Sequence, residues 1–278
     1  VSAQVPDQLV VFGDSLSDNG NLFAATGNPP PPYYMGRFSN GPVWVEYLAD
    51  RLNVPLNDFA YGDAQTDTNN ADLPGTGIEA QVAGYLTAHP TLDASALYIL
   101  QGGTDDYLAG QSNPAIPVGN LTGELTELAQ HGAKRFLVMN LPDLGLTPEL
   151  LGTFLQGPGT QLSQANNLLL ADSLQGLSAS FPGDQFKLLD MYSIQHEVTA
   201  DPTAFGFTNV TDAYLLNGSG DPNKYLYWDA GHPTTAAHQL IADFAYAEVV
   251  PEPGTLALLC GLAIPVLCRI RRRSPRAV

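Results

Sequence analysis

The chain has 278 residues, 44% of them hydrophobic, enough apolar material for one large domain with its own core. Charge is uneven: residues 1–250 hold 6 Lys and Arg against 27 Asp and Glu, a net of −21, while residues 251–278 hold 5 basic residues and one acidic, a net of +4. So acidic a body repels polyanions and excludes a nucleic-acid partner; with both cysteines, Cys260 and Cys268, in the tail, it also has no disulfide and no thiolate metal site.

In chain order, the apolar run Leu9–Phe12 predicts a buried strand that ends at Gly13-Asp14-Ser15-Leu16. Ser15 is therefore expected on an exposed strand-to-helix turn, at the edge where open α/β sheets place their ligands. Pro29 to Pro32 followed by Tyr33-Tyr34 predicts a stiff, extended loop, its aromatics either lining an acyl groove or packing the loop onto the body. Further strands are expected near Leu56–Phe59 and at Leu97–Gln101, Phe136–Asn140 and Phe186–Asp190, with helices at Val43–Arg51, Ile78–Ala88, Leu121–Gln130, Leu162–Ser180 and Thr235–Ala247. Thr147–Gly159 and Ala200–Asn223 read as longer loops rich in Gly, Pro and small residues, of the kind that set substrate choice. This alternation predicts a doubly wound α/β fold, a three-layer α/β/α sandwich around a parallel sheet of about five strands. Residues 1–250 form the one expected catalytic domain. The start Val1-Ser2-Ala3-Gln4 fits either the remnant of a removed secretory segment or the edge of a fragment.

Chemistry concentrates at two distant points, Gly13-Asp14-Ser15 and Trp228-Asp229-Ala230-Gly231-His232-Pro233. A serine hydroxyl needs a base to take its proton, and that base works best when a carboxylate fixes its tautomer and steadies the imidazolium. Ser15, His232 and Asp229 fit those three roles. His89, His131, His196 and His238 have no such setting and read as helix-end, loop or core residues. Asp67, Asn69 and Asp72 lack the sixth-position glycine and final glutamate of a calcium loop and read as a solvated acidic loop.

These blocks resemble the GDSL esterases and lipases of the SGNH hydrolase superfamily, whose fold is flavodoxin-like. The first block matches as Gly13-Asp14-Ser15-Leu16, extended through Asn21; Gly36-Arg37-Phe38-Ser39-Asn40-Gly41 is similar to the stretch that follows it in lipase-like members. Phe59-Ala60-Tyr61-Gly62-Asp63-Ala64 resembles the second block, in which the resemblance gives Gly62 an oxyanion N–H beside that of Ser15. The last block matches as Asp229-Ala230-Gly231-His232. The likeness extends to about Ala247 and implies hydrolysis of a small-molecule or lipid ester with no metal or organic cofactor.

The third block departs. The family pattern Gly-x-Asn-Asp stands here as Gly103-Thr104-Asp105-Asp106, so Asp105 occupies the place of an amide that donates to the oxyanion. An ionised carboxylate has no proton to donate and repels the developing charge. Two alternatives stay open at this point: a protonated Asp105, favoured by burial and by Asp106 beside it, or a slipped register in which the Thr104 hydroxyl serves.

The tail is a separate signal. Pro251-Glu252-Pro253, an apolar run from Leu256 to Cys268, and Arg269, Arg271, Arg272 and Arg273 resemble a PEP-CTERM sorting signal. The run is short for a membrane span of about 17–25 residues. The resemblance implies transient association with the inner membrane, removal by an exosortase-type enzyme, and release to the cell surface or matrix of a Gram-negative bacterium. The expected function is a secreted serine ester hydrolase of carboxylesterase or lipase type. The alternatives are an O-deacetylase of extracellular polysaccharide and a surface or matrix binding protein whose turnover is weakened at Asp105.

Overall fold

The computed structural model describes residues 5–250. The sorting tail expected at 251–278 lies outside them, as does the start of the chain.

Strand β1 (Leu9–Phe12) has every side chain buried, and its alternation splits them between two layers: Leu9 and Val11 enter one core, Val10 and Phe12 the other. It lies between β2 (Leu56–Asp58) and β3 (Leu97–Gln101), followed outward by β4 (Arg135–Met139) and β5 (Gln185–Leu189), all five parallel in the order β2-β1-β3-β4-β5. The order reverses beside β1, the switch point at which open α/β sheets leave a crevice.

Helices cover both faces. The Leu9 side packs against α2 (Trp44–Leu52), α7 (Met191–Ala200) and α9 (Thr235–Val249) through Trp44, Leu48, Ile194 and Ile241. The Val10 side packs against α3 (Ile78–Ala88), α5 (Ala115–Gln130) and α6 (Gln156–Ser180) through Val82, Leu125 and Leu174. The short helices α1 (Asn21–Thr26) and α4 (Thr104–Leu108) lie in the segments that follow β1 and β3. The expected three-layer sandwich with its five-stranded parallel sheet is the fold observed.

Elements depart from expectation where first-turn chemistry decides. Helix α5 starts six residues earlier than expected, with Pro117 in its first turn, and α6 takes Gly157, Pro158 and Gly159 into its first turn. First-turn N–H groups have no acceptor within the helix, so a proline costs little there. Helix α7 had no expected counterpart, although Asp190 caps it by accepting from the N–H of Ser193. The stretch read as a loop at Ala200–Asn223 carries strand β6 (Asn209–Ala213) and helix α8 (Tyr214–Asn217); β6 pairs in parallel with β7 (Tyr225–Tyr227). That small ribbon delivers the 228–233 loop to the carboxyl edge of the main sheet.

Candidate active site

The turn after β1 is braced from beneath. Gln81 of α3 accepts the N–H of Gly13 (2.9 Å) and returns its amide to the Gly13 carbonyl (3.0 Å). Gln101, at the end of β3, accepts from the Ser17 hydroxyl at 3.1 Å. A Cβ on residue 13 would stand 2.9 Å from the Gln101 carbonyl oxygen, so this close approach requires glycine. The Asp14 carbonyl then accepts the N–H groups of Ser17 and Asp18, both at 3.0 Å, which closes the turn and holds Ser15 at its tip.

Opposite the turn, Trp228 donates its N–H to the His232 carbonyl (2.8 Å) and Glu149 donates to that of Ala230 (3.0 Å), fixing the loop that carries the histidine. The structure brings the three expected residues together: His232 Nε2 lies 2.8 Å from Ser15 Oγ, and His232 Nδ1 lies 2.8 Å from Asp229 Oδ2 and 2.9 Å from Oδ1. Because an ionised carboxylate only accepts, Nδ1 carries the proton and Nε2 is left to take one from Ser15. Asp229 Oδ1 also accepts the N–H groups of Gly231 (2.9 Å) and His232 (2.7 Å).

Burial alone would raise the Asp229 pKa, but the charge of His232 and these hydrogen bonds outweigh it and hold the carboxyl at about 2. For His232, burial pushes down; the charge and hydrogen bond of Asp229, aided by Asp14 and Asp63, overcome it, and the imidazole titrates above its ordinary value. An imidazole so placed can accept a proton only once it is deprotonated.

One expected oxyanion donor is corrected. The N–H of Gly62 donates to Asp18 Oδ2 at 2.8 Å, and that buried carboxylate also accepts from Gly20 (2.7 Å), Asn21 (2.6 Å) and Leu22 (3.1 Å). Gly62 is thus committed to shaping the loop. A Cβ there would stand 2.4 Å from the Phe38 ring, which lies over the His232 imidazole at 5.0 Å between centroids. The next residue, Asp63, has φ +61° and lines the pocket, and among the described residues its N–H has no partner. The N–H of Ser15 is free in the same sense.

Asp105 lines the pocket as expected, and Thr104 does so beside it. Its carboxyl pKa is pushed well up, by burial first and then by Asp14, Asp63 and Asp106. The expected causes, burial and Asp106, both act, and Asp14 and Asp63 add to them; Asp106 itself turns its carboxylate to the N–H (2.9 Å) and hydroxyl (2.7 Å) of Thr66. Asp14 is itself raised, mainly by burial. Oδ2 of Asp14 and Oδ2 of Asp105 are both buried without a donor, and the two carboxyls lie close enough to bond once one is protonated. Burial and the neighbouring charges thus favour the protonated form of Asp105.

The pocket above these groups encloses about 510 Å³ and is walled by Leu16, Leu108, Leu144, Leu150, Leu215 and Leu216. Three of these leucines, Leu150, Leu215 and Leu216, come from the segments read as substrate-setting loops. Tyr33 of the proline-rich loop also lines it, so the groove-lining alternative holds for that residue. The other four histidines stay outside: His89 and His131 sit at helix ends, His196 bonds Asp143 (3.1 Å), and His238 is buried, its pKa pushed down to about 3 by burial.

A serine, histidine and aspartate aligned at the carboxyl edge of a parallel α/β sheet form an arrangement that can perform nucleophilic ester hydrolysis. The GDSL-like Lipase/Acylhydrolase family model matches residues 9–245, and the chain belongs to that family of ester-bond hydrolases. It is 30% identical to the thermolabile hemolysin of Vibrio parahaemolyticus over 87% of this chain and 64% of that protein. It is likewise 30% identical to the phosphatidylcholine-sterol acyltransferase of Aeromonas hydrophila over 94% of this chain and 79% of that protein. The chain spans as little as half the length of the curated relatives it matches. Among solved structures, Est24, a carbohydrate acetylesterase from Sinorhizobium meliloti, has the same fold with TM-score 0.54 and 16% identity, over 88% of this chain and 98% of that one.

Proposed function

We propose that this protein is a serine carboxylesterase or lipase that hydrolyses esters of small molecules or lipids. The observation that carries the reading is the unbroken line from Asp229 through His232 to Ser15, 2.8 Å at each step, on the floor of an apolar pocket. His232 Nε2 takes the hydroxyl proton as Ser15 Oγ attacks the ester carbonyl carbon. The oxyanion is held by the N–H groups of Ser15 and Asp63 with the acid proton of Asp105, and collapse expels the alcohol, which takes the proton from His232. Water, deprotonated by His232, then attacks the acyl-enzyme, releases the acid and restores Ser15. No step in this scheme calls on a cofactor.

The leucine walls favour an acyl chain over an acetyl group alone. A panel of p-nitrophenyl esters from acetate to palmitate, run beside acetylated sugars, tests this. The expected result is higher kcat/KM for butyrate to octanoate esters than for acetate or for the sugars; preference for acetylated sugars would replace the reading with polysaccharide deacetylation. A protein that fails to label at Ser15 with a fluorophosphonate would be a binding protein on this fold.

Export is part of the same proposal and is supported by the likeness of residues 251–278 to a PEP-CTERM signal. In a host with an exosortase, mass spectrometry of the exported protein is expected to find the segment after about Pro253 removed. Peptides containing Arg271 to Arg273 on the exported form would refute it.

A further inference from the structure

Asp229 receives a donor that the family blocks do not contain. Its Oδ1 is satisfied within its own turn, by the N–H groups of Gly231 and His232, whereas Oδ2 faces the imidazole and the Tyr33 hydroxyl, which donates to it at 2.8 Å across 196 residues of sequence. Oδ2 therefore has two donors within 2.8 Å, one on the histidine and one on the proline-rich loop.

The loop that carries Tyr33 is built to hold it there. Tyr33 closes a turn on Pro30 (N–H to carbonyl, 3.2 Å), and Tyr34 donates to the Ser39 carbonyl at 2.9 Å. The loop is then tied to the histidine loop a second and third time: the Ser39 hydroxyl donates to the Pro233 carbonyl (2.9 Å), and Asn40 accepts the N–H of Thr235 (2.8 Å). The Tyr33 ring stands edge-on to Phe38 and Trp228 at 6.1 and 6.3 Å, so its hydroxyl has little freedom to leave Asp229.

We propose that Tyr33 is a positioning residue of the reaction, clamping the Asp229 carboxylate in line with His232 and drawing off part of its charge, so that the stiff loop over the pocket and the base are set by one bond. The proposal rests on the reading of His232 as the base. Tyr33 remains a neutral donor throughout the working range, because burial and the neighbouring charge of Asp229 both resist its ionisation. The groups that bear on His232 are Asp229 in its own loop, Asp14 on the nucleophile turn and Asp63 after β2, with His238 of α9 buried and neutral behind it.

Tyr33→Phe deletes one hydroxyl and keeps the ring packing. With one donor lost, Asp229 concentrates its charge on the imidazolium, so the acid limb of kcat/KM is expected to move to higher pH. Loss of alignment is expected to lower kcat roughly tenfold, with KM for a short ester nearly unchanged. The discriminating measurement is the same substitution in an Asp229→Ala background, where the hydroxyl has nothing to position and Tyr33→Phe is expected to change neither kcat nor the pH limb. An effect of the same size in both backgrounds would assign Tyr33 to pocket shape alone and overturn the proposal, as would a native acid limb and native kcat in the single variant. Fluorophosphonate labelling of native Ser15 keeps the two ideas apart. Failure of that labelling sinks the triad reading, whereas labelling of Tyr33→Phe at the native rate sinks only the clamp.

Discussion

Ser15→Ala and His232→Ala each lower ester hydrolysis by roughly 10⁴–10⁶-fold, since nucleophile and base act as a unit and losing either removes nearly the whole of their joint effect. Asp229→Ala costs less, roughly 10⁴-fold, because it orients and steadies the base without touching the substrate. Neither of the first two changes removes a side chain from the two cores flanking the sheet, where Trp44, Phe12 and Tyr98 are fully buried, so thermal unfolding is expected to stay close to native. Turnover of a fluorogenic ester by the purified variants, with melting curves from the same preparations, checks both statements. Activity retained in folded Ser15→Ala would end the mechanism. For the native enzyme, activity is expected to rise with pH through an inflection above about 6.5, the ordinary histidine value, because the net pull of Asp229, Asp14 and Asp63 lifts the His232 titration.

What could be read from the chain divides along physical lines. The three inner strands β1, β3 and β4 were visible because both faces are covered and their side chains are almost all buried, whereas the edge strands β2 and β5 are more polar and less buried; all five end within one residue of expectation, as at Phe136–Asn140 against Arg135–Met139. Helix α7 was missed because ten residues with β-branched and aromatic side chains carry little periodic signal, although the Asp190 cap marks its start. At the candidate site, Ser15, His232 and Asp229 were legible because their blocks name the side chains that the structure brings within hydrogen-bond reach. The oxyanion donors were less so. A motif aligns residues but does not say which backbone N–H groups are already spent, and the Gly62 N–H is spent on Asp18. Asp63 carried one usable sign, a short polar residue after glycine that tolerates the left-handed turn it adopts. The Tyr33 bond to Asp229 had none beyond a pair of tyrosines after prolines, since a contact across 196 residues exists only once the sheet has formed.

Asp105→Asn should raise kcat at neutral pH by up to roughly 10²-fold, the usual worth of one oxyanion donor. The reason lies in counting protons. A protonated Asp105 has one O–H, and the neighbouring carboxyl of Asp14, whose Oδ2 is buried without a partner, competes for it. Donating to the oxyanion means releasing Asp14, so part of the stabilisation is lost to the broken bond. An asparagine amide has two N–H groups and can serve both. As pH rises through the elevated Asp105 titration the native enzyme loses its only proton there, and the mutant-to-native ratio should climb further; as pH falls and Asp14 takes a proton of its own, Asp105 is freed and the ratio should approach one. His232 titrates identically in numerator and denominator to a first approximation, which is why the ratio at each pH is the quantity to measure. Stability gives an independent reading with a fixed sign. A carboxyl whose folded pKa exceeds its unfolded value binds its proton more tightly when folded, so its contribution is fully favourable below the unfolded value and is lost as pH rises through the folded one. Asp105→Asn removes that loss, and its melting temperature should exceed the native one by a margin that grows from acid toward alkaline pH. A ratio of one throughout, with no change in melting behaviour, would take Asp105 out of the oxyanion site and leave the Thr104 hydroxyl as the third donor.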